Sequence, residues 1–323
     1  MGNSTYNKAQ KNKNNEFYTR IEDIENELEH YKDYFKGKVV LCNCDDPRAS
    51  KFFHYFSYNF EYLGLKKLIT TCYQNKSMDL FTSYDSDNAI MLEYYGDKNG
   101  NRVPDPEEIG IIELNGNGSF DSPECLKVLD EADVVVTNPP FSELKSYIPL
   151  LNKHKKDFLI IGSDTAFMLK DIFPMFMKNE IWTGMTRATK FTTPDGSVKS
   201  VATYWYTNIK NNRITDERIL YKNYNESSYE RLENYDAINI ENLDDIPMDY
   251  KGAMAVPPGF VITHDPSQFE ILGLTDRGDK YGFKTKTYTK EDSPKYSDLN
   301  RRGVVVRNGE RKKLFAQALI RKI

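Results

Sequence analysis

Short apolar runs alternate with amphipathic stretches along the first 207 residues of this chain. Ile24, Leu28, Tyr31 and Phe35 recur at helical spacing and predict a helix over 21–35, stopped by Gly37. Lys38 to Cys44 reads as a buried strand. Asp46 is suited to cap the next helix and Pro47 to open it; that helix carries Phe52, Phe53, Phe56 and Phe60 on one side and breaks at Gly64. Lys67 to Tyr73 reads as a second strand, which completes a β-α-β unit. Residues 76–110 are polar and rich in Gly and Asp, and predict an inserted hairpin or a long loop. Ser122-Pro123 opens a helix that runs to Glu131, ahead of a strand through Val134-Val135-Val136. Helix 143–154, strand 158–162 and helix 165–178 continue the alternation. After the turn Thr193-Pro194-Asp195-Gly196, residues 201–207 predict an antiparallel closing pair. From about Asn208 onward the alternation is lost, and a tyrosine-rich α+β or mostly β region is expected. The predicted fold class is α/β: a mostly parallel, doubly wound sheet with an antiparallel closing strand, followed by a smaller C-terminal region. The expected divisions are a flexible arm over 1–15, a sheet domain over 16–207 and the accessory region over 208–323.

The strand at Val134 ends abruptly in Asn138-Pro139-Pro140-Phe141. Two prolines can neither continue a central strand nor donate to its ladder, so the chain must leave the sheet here. In open α/β folds ligands bind at the carboxyl ends of strands. Asn138 brings a carbonyl oxygen and an amide, Pro139 and Pro140 are expected to leave free backbone carbonyls, and Phe141 offers a flat π face. Together they suit a planar base with an exocyclic amino group.

The strand, acidic loop and helix from Val39 to Phe60 form a second candidate site. The start of the helix offers N–H groups and a positive dipole, and Asp45 or Asp46 suits an ammonium group or ribose hydroxyls. No G-x-G-x-x-G is present to cradle a pyrophosphate. A cofactor with an amino group and a ribose but no phosphates fits better, and S-adenosylmethionine is such a molecule.

Composition narrows the field. Of 323 residues 39% are hydrophobic, enough for a sizeable core. No apolar stretch approaches the roughly 20 residues of a membrane helix, and the polar start lacks a signal peptide, so a soluble, cytoplasmic protein is expected. The four cysteines have neither C-x-x-C pairs nor nearby histidines, which argues against zinc or any other metal. The net charge of −4 hides an asymmetry: residues 279–323 hold 13 Lys/Arg against 5 Asp/Glu, a balance of +8 that leaves −12 elsewhere. A basic end after an acidic body predicts a surface that faces a polyanion. Lys284, Lys286, Arg301, Arg302, Arg311 and Lys312 are the expected contacts to such a polyanion.

Glu16-Phe17-Tyr18-Thr19, Asp23 to Leu28, Cys42-Asn43-Cys44-Asp45-Asp46-Pro47 and Asn138 to Phe141 together give the chain a resemblance. It resembles the EcoRI-type adenine-specific DNA methyltransferases, with motifs in the γ order, firmly from Glu16 to about Thr207. The resemblance implies a Rossmann-like S-adenosylmethionine-dependent fold with a C-terminal target-recognition region over 208–323. It implies that Phe17, Tyr18 and Thr19 flank the methionine part of the cofactor, that Asn43, Asp45 and Asp46 form its main loop, and that Phe120 with Asp121 or Ser122 touches its adenine ring. Asn138, Pro139, Pro140 and Phe141 would grip a flipped target adenine in double-stranded DNA for direct transfer to N6, leaving S-adenosylhomocysteine. Two departures from most methyltransferases stand out. Cys-Asn-Cys-Asp-Asp-Pro replaces the glycine-rich first loop, as in the EcoRI type, and no acid ends the second strand near Tyr73, so the ribose partner is unassigned. A monomer is expected, and a companion restriction endonuclease is compatible with the resemblance. Cytosine N4, RNA or a protein glutamine amide also present conjugated amino groups to such a loop, and a non-catalytic DNA-binding protein is the alternative from another class.

Overall fold

A computed structural model describes residues 18–44, 51–71, 89–193, 196–212, 217–276 and 278–323. The chain forms two compact units, one of Met1–Ile172 with Thr183–Asn211 and one of Phe173–Trp182 with Asn212–Ile323.

The first unit is built on an eight-stranded sheet. Its strands are β2 (Val39–Asn43), β3 (Lys67–Thr71), β4 (Ile90–Tyr94), β5 (Ile109–Glu113), β6 (Val134–Thr137), β7 (Asp157–Ser163), β8 (Trp182–Thr183) and β11 (Thr203–Thr207), in the order β5-β4-β3-β2-β6-β7-β11-β8. A short β1 (Tyr18–Thr19) pairs with β9 (Lys190–Thr192), which also pairs with β10 (Val198–Ser200). β3, β2, β6 and β7 run parallel. Every residue of β2, β3 and β6 is buried, as expected of strands covered on both faces; β2 and β6 accordingly read as mainly apolar runs, whereas β3 also buries Lys67, Thr70 and Thr71. β11 closes the sheet antiparallel to β7, as the sequence predicts.

The sheet is more mixed than expected. Part of the region read as an insertion, 76–110, is its other flank: β4 lies antiparallel to β3 and β5 to β4. The outer strand β5 is largely exposed, with Ile111 57% accessible, so its apolar residues carry no clean alternation. The intervening turn is organised by two carboxylates. Asp97 accepts from the Gly100 and Arg102 N–H groups, and the buried Glu108 accepts from those of Lys98 and Asn99.

The helices follow the predicted apolar stripes. α1 (Ile21–Leu28) continues as a tighter 3₁₀ helix over Glu29–Phe35 and buries Ile24, Leu28, Tyr31 and Phe35. α2 (Lys51–Tyr58) buries Phe52, Phe53 and Phe56, and Gly64, at φ +63°, ends the short turn after it. α3 (Pro123–Glu131) starts on Ser122, whose side chain accepts from the Cys125 N–H. α4 (Leu144–Lys153) follows a 3₁₀ turn over Phe141–Glu143. The helix expected over 165–178 is interrupted: Leu169 is extended, leaving a 3₁₀ turn at Ala166–Met168 and a separate α5 (Phe173–Met177) in the second unit.

The second unit is mostly β among its described residues. β12 (Ile238–Asn239), β13 (Met254–Val256), β17 (Ala318–Lys322) and β14 (Phe269–Leu274) form one sheet, and β15 (Val304–Arg307) and β16 (Glu310–Lys313) form a hairpin. Leu232, Tyr235, Ala255, Val305 and Leu319 are buried in its core.

A buried acidic side chain anchors the first unit. Glu27 on α1 is fully buried, and its carboxylate accepts from the N–H groups of Met185 (2.8 Å) and Thr186 (2.6 Å) and from the Thr186 hydroxyl (2.6 Å). A side chain on Gly184 would collide with that carboxylate. Removing the acceptor strands three donors, so Glu27→Ala is expected to lose about 3–5 kcal/mol of stability in chemical unfolding, at the upper end for single substitutions.

Candidate active site

β2 leads through α2 to β3 on one side of it, whereas β6 leads through α4 to β7 on the other. The two connections diverge, so the carboxyl ends of β2 and β6 flank a topological switch point, where open α/β sheets bind ligands. Asn43 ends β2, and Asn138 follows β6 directly. The parallel register Val40–Val134 and Leu41–Val135 sets these ends side by side.

Side chains then tie the two ends together. The Thr137 hydroxyl, last on β6, donates to the Asn43 carbonyl, and the Tyr147 hydroxyl on α4 donates to Asn43 Oδ1. Burial pushes the Tyr147 phenol far above its usual range, which keeps it a neutral donor. Phe120 meets the Tyr147 ring edge-on, with centroids 4.9 Å apart. One network therefore joins residues from β2, β6, α4 and the segment before α3.

Within the Asn-Pro-Pro-Phe loop, Asn138 and Pro139 are buried, Pro140 is exposed and Phe141 is half-buried against the core that also holds Phe52 and Phe56. One expectation is corrected: the Pro140 carbonyl accepts from the Glu143 N–H at 2.9 Å, because the chain turns at once into a 3₁₀ helix. That carbonyl closes the turn and is not free, as had been expected of it.

The other candidate residues fall in several places. Thr19 is buried and Tyr18 half-buried on β1, both paired with β9. Asp121 accepts from the Ser119 hydroxyl, and Ser122 serves as a helix cap. Phe17, Asp45 and Asp46 lie outside the described residues. Among the described residues no group of three or more His, Cys, Asp or Glu side chains is placed to hold a metal ion, and no helix is long and apolar enough to cross a membrane.

Thr137 and Tyr147 escaped the sequence reading. Tyr147 lies in the apolar stripe Leu144, Tyr147, Ile148, Leu151, all of it buried. A phenol in such a stripe needs a hydrogen-bond partner, and that signal could have pointed to it.

The basic residues of the second unit are less available than their number suggests. Lys286 pairs with Glu233 at 2.9 Å and with Asp292 at 3.4 Å, and Arg311 pairs with Glu233 at 2.9 Å. Lys284 donates to the Asn300 carbonyl, and burial pulls its ammonium below the usual range. Arg302 donates to the Arg301 carbonyl, while Arg301 and Lys312 are exposed. Burial acts to raise the Glu233 carboxyl, but bonds from Arg311, Lys286 and Tyr288 outweigh it and hold the group at about 2.

A switch point that ends in Asn-Pro-Pro-Phe, on a sheet of this kind, defines an amino-methylating methyltransferase. The chain belongs to the EcoRI family of adenine-specific methyltransferases, which matches it over residues 5–323. It is 38% identical over 291 residues to the type II methyltransferase M.EcoRI of Escherichia coli, covering 84% of this chain and 89% of that protein. It is 38% identical to M.MgeORF184P of Mycoplasma genitalium, covering 83% and 85%, and 36% identical to M.MpnI of Mycoplasma pneumoniae, covering 83% and 84%. No solved structure matches the chain. The protein is therefore an enzyme, a site-specific DNA methyltransferase directed at adenine.

Two outcomes are expected. Tyr147→Phe strands Asn43 Oδ1 in a buried site, which should lower stability by about 1–3 kcal/mol and slow methyl transfer, read by thermal unfolding and a transfer assay. Glu233 is held below its unfolded value, so its stabilising effect is complete above about pH 4.5 and is lost as pH falls toward 2. Glu233→Gln should therefore flatten the acid limb of the stability curve over that interval, measured by unfolding as a function of pH.

Proposed function

We propose that the protein transfers a methyl group from S-adenosylmethionine to the N6 amino group of an adenine turned out of double-stranded DNA. The observation that carries this reading is Asn138, buried beside Asn43 at the switch point of the sheet.

The residues present fit this donor. Thr19 is buried and its Oγ1 has no hydrogen-bond partner, an orphan that a polar ligand would complete. Tyr18, Thr19, Asn43, Phe120 and Asp121 would hold the donor, with Phe17, Asp45 and Asp46 from the neighbouring segments. When bound, the donor supplies an electrophilic methyl group.

An adenine amino lone pair is delocalised into the ring and attacks weakly. Asn138 Oδ1 and the Pro139 carbonyl would accept the two amino hydrogens, which favours a tetrahedral nitrogen with its lone pair directed out of the ring plane. Phe141 would stack on the extruded base. Alignment and polarisation then carry the catalysis, with no covalent nucleophile.

The second unit and the rest of 208–323 would recognise the target. Arg301, Arg302 and Lys312 are its available phosphate contacts, with Lys284, Lys286 and Arg311 contributing as their intramolecular partners allow. The reaction needs no second copy of the chain. It would take place in the cytoplasm of a bacterial or phage-infected cell, and a restriction endonuclease cutting the same unmodified site is the partner it would guard against.

Asn138→Ala tests the assignment. Methyl transfer to DNA should fall by orders of magnitude while calorimetric affinity for S-adenosylhomocysteine holds, because Asn138 faces the base. A parallel loss of that affinity would place Asn138 on the donor instead.

A further inference from the structure

Arg187 is exposed, yet it is held in place. Its Nε donates to the Thr203 carbonyl at 3.1 Å, and its guanidinium carbon lies 4.2 Å from the centre of the Tyr204 ring. Two further bonds fix the backbone beside it. The Thr203 hydroxyl donates to the Ala188 carbonyl, and the Val201 N–H donates to that of Thr189 at 3.0 Å. Among the described residues no carboxylate pairs with Arg187, and its two terminal nitrogens make no hydrogen bond. Asp164, whose N–H donates to the Ala202 carbonyl, stands near without joining it.

The sheet sets where this arginine lies. Thr203 opens β11 opposite Ser163, the last residue of β7. β7 runs parallel to β6, with Thr137 beside Ile160. Thr203 and Arg187 therefore stand at the carboxyl end of the sheet, the end at which Asn138 follows β6. The stretch around them is basic. From Met185 to Thr207 the sequence holds Arg187, Lys190 and Lys199 against one acid, Asp195, which lies outside the described residues. Lys190 on β9 and Lys199 on β10 are both exposed. A planar guanidinium offers a fork of N–H donors that fits two phosphate oxygens. The Tyr204 ring and the Thr203 bond fix that fork in advance, so less side-chain entropy is lost on binding. DNA is the polyanion this enzyme must hold, and a base that reaches Asn138 brings its flanking phosphates to this end of the sheet.

We propose that Arg187 grips a DNA phosphate beside the target nucleotide, with Tyr204 and Thr203 as positioning residues for its guanidinium and Lys190 and Lys199 extending the cationic surface. The contact lies in the sheet domain, outside the basic C-terminal segment from which such contacts were expected. It rests on the reading that the target base is presented to Asn138.

The test compares full-length wild type, Arg187→Gln, Arg187→Lys and Lys153→Gln in anisotropy titrations with a short labelled duplex over a series of salt concentrations. Lys153 ends α4, the helix that returns the chain to the amino end of β7, so it serves as a control for loss of charge. Arg187→Gln should weaken duplex binding about tenfold or more and lower the salt slope by about 0.9, as loss of one phosphate contact does. Arg187→Lys keeps the charge and loses the fork; it should keep most of the slope and fall between wild type and Arg187→Gln in affinity. Lys153→Gln should match wild type. Calorimetric affinity for S-adenosylhomocysteine should hold in every variant, which also establishes that each is folded. An unchanged salt slope in Arg187→Gln would overturn the proposal, as would an equal drop in Lys153→Gln. Equal losses of duplex and S-adenosylhomocysteine affinity would make Arg187 merely structural and overturn it too. The two failures are separable: intact methyl transfer by Asn138→Ala would remove the base site and the placement of the phosphate with it, whereas an unchanged slope in Arg187→Gln removes the phosphate contact alone.

Discussion

Asn43 sits where β2 and β6 end side by side, and the site depends on its two bonds. Its carbonyl takes the Thr137 hydroxyl and its Oδ1 takes the Tyr147 hydroxyl. Hydrogen bonds between buried partners are demanding in geometry and costly to leave unmade. They therefore lock the end of β2 to the end of β6 and to the helix that follows it. Asn138 is the next residue after Thr137, so its position is inherited from this lock, and no loop entropy separates it from the rigid sheet. Pro139 and Pro140 extend that rigidity through their fixed φ, and the Pro140 carbonyl closes the turn into α4.

Much of this was legible in the residues and some was not, for identifiable reasons. The parallel strands could be read because burial on both faces demands unbroken runs such as Val134-Val135-Val136. The loop after them could be read because paired prolines cannot stay in a sheet. β5 could not, since an edge strand with Ile111 exposed has no face to encode. The break at Leu169 was hidden because a helical stripe persists through a residue whose backbone is extended. Tyr147 and Thr137 were missed because a polar atom in an apolar stripe gains its meaning only from a partner far away in sequence. Glu27 is the same case, one of four acids on an amphipathic helix, and its donors lie some 160 residues on.

Charge counts were a weaker guide than strand patterns. The basic excess near the C-terminus is real as composition, yet Glu233 and Asp292 engage Lys286, and Glu233 engages Arg311. A net count adds charges that the fold sets against each other. If the second unit meets the phosphate backbone as proposed, the salt dependence of DNA binding should reflect the smaller number that remains, Arg301 and Lys312 among them. The family match runs through this half of the chain as well.

The most direct measurement is to incubate the full chain with unmethylated plasmid DNA and S-adenosylmethionine and map the modified bases by single-molecule sequencing. The account expects N6-methyladenine confined to one short recurring sequence. N4-methylcytosine at such a site, or unmodified DNA from protein that binds the donor, would contradict it.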